Sequence, residues 1–134
     1  NAVNRLINSG VVVVVAAGNS KADACNYSPS RVPAAITVAA SNRNDVFASF
    51  SNWGSCVDVI APGVDITSAW YTSTNATNTI SGTSMASPHV AGAIARYLSS
   101  NISVGTLLSG SITGVIQNVP VNTPNKFLYV DPAK

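Results

Sequence analysis

Apolar residues recur along the chain with several spacings, and each spacing predicts an element. Ala2, Val3, Leu6 and Ile7 share one face of a helix that Asn8-Ser9-Gly10 ends. Val11 to Val15 is a run of valines, and a continuous β-branched run beside glycine predicts an interior parallel strand covered on both faces. Helix then strand at this spacing is the closing part of a crossover unit, so the predicted fold class is α/β with a mainly parallel sheet. Ser20 to Pro33 is polar and loop-like, with Asn26-Tyr27-Ser28-Pro29 its clearest turn signal. Short strands are predicted at Ile36 to Ala39, within Val57 to Gly63, and at Ile66 to Trp70. The Ser/Thr/Asn tract from Tyr71 to Thr79 reads as an exposed hairpin. Val90, Ala93, Ile94, Tyr97 and Leu98 then repeat at the three- and four-residue spacing of a buried helical face. A shorter helix over Val104 to Leu108 and a terminal strand at Phe127 to Val130 complete the pattern. No repeat and no interdomain linker interrupts it.

Composition narrows what such a fold can do. The chain has 134 residues, one domain's worth at most, with 46% hydrophobic and 9% charged positions, a balance suited to elements buried on both faces. The net charge of +2 comes from scattered cations such as Arg5, Lys21, Arg43 and Arg96. No basic stripe points to nucleic acid or to a membrane surface. The longest apolar run, Val11 to Ala17, is too short to span a bilayer. Asn1 opens inside a predicted helix, with no signal peptide ahead of it, so the chain reads as the later part of a larger one. Cys25 and Cys56, with one distant histidine, cannot supply a zinc site, which leaves a disulfide or two buried thiols. Low charge and a disulfide together suit an extracellular protein.

The candidate chemistry lies where a glycine turn enters the alanine-rich helix, at Gly82-Thr83-Ser84-Met85-Ala86-Ser87-Pro88-His89-Val90-Ala91-Gly92. Ser84 falls at or near the helix N-terminus, where unpaired N–H groups and the positive dipole end favour developing negative charge. A hydroxyl held there can attack a carbonyl and have the oxyanion stabilised by its own backbone N–H. On these residues alone the favoured reading is that Thr83 or Ser84 is a helix cap followed by small, closely packing residues. Pro88 should distort the first turns of this helix. A second candidate, Asn19, follows Ala16-Ala17-Gly18 at the carboxyl end of the valine strand, the side on which open α/β sheets form their ligand crevice. By itself it is also an ordinary turn asparagine.

The undecapeptide from Gly82 to Gly92 resembles the nucleophile segment of subtilisin-like serine proteases, and Ala16-Ala17-Gly18-Asn19 resembles the segment carrying their oxyanion-hole asparagine. Asn26-Tyr27-Ser28-Pro29, Phe50-Ser51-Asn52-Trp53-Gly54 and Ala61-Pro62-Gly63 are similar to stretches of the proteinase K branch, while the last thirty or so residues match less well. The resemblance implies the C-terminal portion of one peptidase domain over residues 1–134, with Ser84 as nucleophile and Asn19 with the Ser84 N–H as oxyanion hole. It implies that Ala16, Ala17 and Gly18 form one wall of the pocket for the residue before the scissile bond. It pairs Cys25 with Cys56, and it implies a structural Ca²⁺ held by the carbonyls of Pro33 and Ala35 and the carboxylate of Asp58. Without the resemblance, Asp58 reads as a satisfied polar residue at a strand edge. No cofactor for catalysis is implied.

The family's other two catalytic residues lie in Asp-Thr/Ser-Gly and His-Gly-Thr stretches, and neither occurs here. His89 is five residues past Ser84, about 140° away around a helix and about 7.5 Å along it, so the two should not share a hydrogen bond. The expected partners are therefore the upstream part of the same domain and polypeptide substrates. The alternative is a non-catalytic peptide-binding or inhibitory protein that kept half of the fold. A serine esterase of another α/β fold is disfavoured because no G-x-S-x-G elbow surrounds Ser84.

Overall fold

A computed structural model describes all of residues 1–134. In chain order the elements are α1 (Ala2–Asn8), β1 (Val14–Ala16), β2 (Ile36–Ser41), β3 (Val59–Pro62), β4 (Ile66–Ala69), β5 (Thr77–Ile80), α2 (Thr83–Ser99), α3 (Val104–Ser109), β6 (Ile112–Thr113) and β7 (Lys126–Phe127). The main sheet has the order β1-β2-β3-β7-β6, parallel throughout except for β6 against β7. β4 and β5 form a separate antiparallel hairpin.

The strand buried on both faces is β2, not the valine run. Ile36, Val38 and Ala40 pack on α2 with Val59 and Ala61 of β3, while Ala39 faces a second cluster with Phe47, Val57 and Ile60. The valine run was expected as an interior strand, but the strand itself is only Val14–Ala16, and β1 lies at the sheet edge with β2 as its sole neighbour. Val11 and Val12 precede the strand and remain 46% and 39% exposed. Together with Ile7 of α1, Ile36 and Leu108 they border an apolar groove of about 370 Å³. A β-branched run reports covering on both sides, but not whether the covering groups lie within the same chain.

α2 buries Ala86, Val90, Ala93, Ile94 and Tyr97 against the sheet. Leu98, expected on that face, is 48% exposed, because it lies a full 100° beyond Tyr97 around the helix. Pro88 sits within α2 without ending it. It has no N–H to give the Ser84 carbonyl, so that carbonyl loses its bond four residues on, while the helix continues. The predicted strand at Phe127 to Val130 is a strand over Lys126–Phe127, with the Leu128 N–H still donating to the Ile60 carbonyl at 2.9 Å.

Cys25 and Cys56 are joined by a disulfide, with their Cα atoms 5.4 Å apart, and no cysteine is free. The bond links a short 3-10 turn at Ala24–Asn26 to the loop that follows Gly54. Thiol titration of denatured, unreduced protein is expected to find no free cysteine. Reduction should lower the unfolding free energy by about 3–4 kcal/mol, the chain-entropy value for a loop of this length. Two titratable thiols would contradict the bond.

Candidate active site

Two carboxyl-terminal strand ends and one helix N-terminus meet at one place. β1 runs into Ala17-Gly18-Asn19, with the Ala17 N–H still on the ladder to the Val38 carbonyl at 2.9 Å. β3 is followed directly by Gly63, whose carbonyl accepts from the Gly82 N–H at 2.7 Å and so sets the turn into α2. A side chain at Gly63 would meet the Gly82 carbonyl and the Ala40 Cβ at 2.7 Å, so only glycine lets the turn lie this close to the sheet.

Thr83 does not cap α2, whose N-cap is Gly82; it is the first residue of the helix and joins the two halves of the site. It is buried, and both its N–H (2.9 Å) and its Oγ1 (2.8 Å) donate to Asn19 Oδ1, while its Oγ1 accepts from the Gly18 N–H at 3.1 Å. A backbone N–H can only donate, so the Asn19 atom it meets must be the oxygen. The amide is thereby oriented, and Nδ2 is left without a protein acceptor.

That nitrogen points toward Gly82. The Cβ position that Gly82 lacks lies 3.4 Å from Asn19 Nδ2, 3.6 Å from the Ser84 backbone N and 3.5 Å from Met85 Sδ. Two N–H donors thus flank one small empty volume. The Ser84 N–H sits in the first turn of α2 and has no acceptor four residues back within the helix. Ser84 itself is exposed, and its hydroxyl is in no intramolecular hydrogen bond.

A recess of about 330 Å³ opens beside it, bounded by Ile66, Thr67 and Ser68 of β4 and by Ser84, Met85, Pro88 and His89 of α2. His89 is not joined to Ser84. Its Nδ1 lies 2.8 Å from the Met85 carbonyl, and since a carbonyl only accepts, Nδ1 carries the proton. The imidazole is held on its own helix, as expected for two residues five apart.

Ala16, Ala17 and Gly18 line up immediately before Asn19, and Ala17 is buried. This segment is held by Asn52, a residue that sequence reasoning noted only within a family-like stretch. Asn52 is 0% exposed; its Oδ1 accepts from the Ser20 (2.9 Å) and Ala22 (3.1 Å) N–H groups, and its Nδ2 donates to the Ala17 carbonyl at 2.9 Å. An asparagine between Ser51 and a turn carries no sequence signal that distinguishes such a clamp from a surface turn.

The third predicted group is spread more loosely. Pro33 and Asp58 line a recess of about 180 Å³, but Ala35 is buried and does not line it. Asp58 Oδ2 accepts from the Thr37 N–H at 2.7 Å, which leaves Oδ1 without a protein partner. The residue as a whole is exposed, yet its carboxyl is partly desolvated. That desolvation raises its pKa above the ordinary carboxylate value, against the opposing effects of the Thr37 N–H and of Lys126. No three acidic, histidine or cysteine side chains come together, so any ion here would be held by carbonyls and one carboxylate. Such an all-oxygen set suits Ca²⁺ rather than a transition metal.

Comparison with known proteins decides the ancestry of this arrangement. Residues 1–125 match the sequence model of the subtilase family. The chain belongs to the subtilase family. This subtilase chain is 55% identical over 134 residues to an extracellular serine proteinase of Thermus sp. (strain Rt41A), covering 96% of itself and 33% of that protein. It is 50% identical over 135 residues to the alkaline serine exoprotease A of Vibrio alginolyticus, covering 25% of it. The crystal structure of a cold-adapted subtilisin-like serine proteinase superposes with a TM-score of 0.91 at 49% identity, over 97% of the subtilase chain and 49% of the other. The subtilase chain thus spans a quarter to a half of the length of these relatives. None of its helices is long and apolar enough to cross a membrane.

Proposed function

We propose that the chain is one piece of a single extracellular peptidase domain and supplies the nucleophile and oxyanion hole of a serine endopeptidase. The observation that carries this reading is the pair of donors, Asn19 Nδ2 and the Ser84 N–H, whose nitrogens lie 3.4 Å and 3.6 Å from the open Cβ position of Gly82. Ser84 Oγ attacks the carbonyl carbon of a peptide bond, and its proton passes to a histidine from the upstream part of the domain. The negative charge that develops on the carbonyl oxygen is met by the two donors, fixed beforehand by Thr83 and by the helix turn. Collapse expels the amine with that proton and leaves an acyl group on Ser84, which water then removes. Ala16, Ala17 and Gly18 leave room for a large apolar side chain before the scissile bond. The test is to combine the chain with an upstream half carrying the Asp and His. Cleavage of a chromogenic peptide that depends on both halves and on Ser84 is expected, and its absence from a folded complex would overturn the reading.

A structural Ca²⁺ held by Asp58, Pro33 and Ala35 belongs to the same proposal, supported by the free Asp58 Oδ1 in its recess. Bound to the folded state only, it would raise the melting temperature as its concentration rises. In the combined peptidase, millimolar CaCl₂ is expected to raise the melting temperature by several degrees, and Asp58→Asn to remove most of that gain. An Asp58→Asn variant stabilised by calcium as fully as the parent would exclude this site.

A further inference from the structure

We propose that Asn52 is a positioning residue for the oxyanion donor Asn19, an inference that rests on the peptidase reading above. Asn19 is held at two levels. Thr83 fixes the end of its side chain, as described, but nothing in that contact fixes the backbone from which the side chain springs. Asn52 does so from the other side. Its backbone N–H donates to the Gly18 carbonyl at 2.8 Å, and its Oδ1 accepts from the Ser20 N–H at 2.9 Å. These are the peptide units immediately before and after Asn19. Its Nδ2 holds the Ala17 carbonyl one unit earlier, and its Oδ1 also takes the Ala22 N–H, so one fully buried side chain spans the whole turn.

Gly18 shows how closely the clamp fits. Its φ is +107°, and a Cβ there would stand 2.4 Å from Asn52 Nδ2. The glycine before the donor is thus the space into which the clamp inserts. Asn52 is itself anchored to the sheet, because the Ser51 hydroxyl donates to the Asn52 carbonyl at 2.9 Å and accepts from the Ala40 N–H at 3.1 Å. A donor aimed at a developing oxyanion has to be held to within about 0.5 Å to act at full strength. Releasing the Ser20 peptide unit removes one of the two bonds that fix the Asn19 backbone.

The test is a double-mutant cycle in the complete peptidase, with kcat expressed per Ser84 titrated by an acylating active-site reagent, so that misfolded protein drops out. Asn52→Ala removes the acceptor for the Ser20 and Ala22 N–H groups and the donor to the Ala17 carbonyl, and leaves only the backbone bond to Gly18. It is expected to lower kcat about 10–100-fold when Asn19 is present, and less than about 3-fold in the Asn19→Ala background, because the group being positioned is then gone. Where Asn52→Ala yields no titratable sites, Asn52→Ser carries the same cycle. Equal losses in the two backgrounds, or an unchanged kcat per titrated site, would overturn the positioning role. Cleavage by the parent peptidase that is lost with Ser84→Ala establishes the peptidase reading independently. A parent that fails to cleave overturns that reading, and this role with it.

Discussion

Ser84→Ala is expected to abolish peptide hydrolysis by the combined peptidase, a fall of about 10⁶ in kcat. That size is the one known for subtilisin on loss of its serine, carried over to a family member rather than computed from this geometry. The physical reason is that no other group stands where Ser84 does. Ser84 is exposed and lines the recess beside β4, and His89 is turned onto the Met85 carbonyl. The 134-residue chain alone is expected to show no hydrolysis even with Ser84 intact, because an unassisted serine hydroxyl is a weak nucleophile at neutral pH. It is also expected to aggregate. One edge of β1 is unpaired, and Val11 and Val12 stand exposed beside the apolar groove between α1 and α3. Adding the upstream half should raise soluble yield and activity together. Robust cleavage by the purified chain alone, lost with Ser84→Ala, would contradict the incomplete-site reading.

Asn19→Ala should lower kcat by about 10²–10³ with a much smaller change in KM. This too is the subtilisin value for loss of the oxyanion asparagine. The structure supplies the reason for the selectivity. Asn19 Nδ2 has no protein acceptor, so its hydrogen bond is made only when an oxygen enters the volume beside Gly82. A donor used mainly in the transition state shows in kcat rather than in binding. Some loss of stability accompanies it, because Thr83 is buried and would lose the acceptor for its N–H. Measuring kcat per titrated Ser84 separates the two effects. A variant with equal kcat and a raised KM would place Asn19 in ground-state binding instead.

Much of this architecture was legible in local pattern. Val90, Ala93, Ile94 and Tyr97 marked the face that α2 buries, and the turn at Gly82 marked where Ser84 would stand. Both follow from the 3.6-residue period and from what glycine permits, properties of a few consecutive residues. The two family-like segments also singled out Asn19 and Ser84. What the chain pattern did not contain is what one segment does for another. The valine run was as apolar as an interior strand should be, yet only the sheet order makes β1 an edge and β2 the doubly covered strand. Leu98 fits a helical stripe but lies beyond the width of surface that the sheet covers.

The same division runs through the site. Sequence determined that an asparagine, a threonine and a serine would be present, and that the serine would begin a helix. Only tertiary structure decided that Thr83 would meet Asn19 across 64 positions and turn its amide, and that Asn52 would grip the peptide units on either side of it. A side-chain amide accepts at its oxygen and donates at its nitrogen, and a half-turn of the group exchanges the two ends at almost no cost in shape. Which end faces the substrate is therefore settled by partners brought together by the sheet, and not by any residue beside it in the chain.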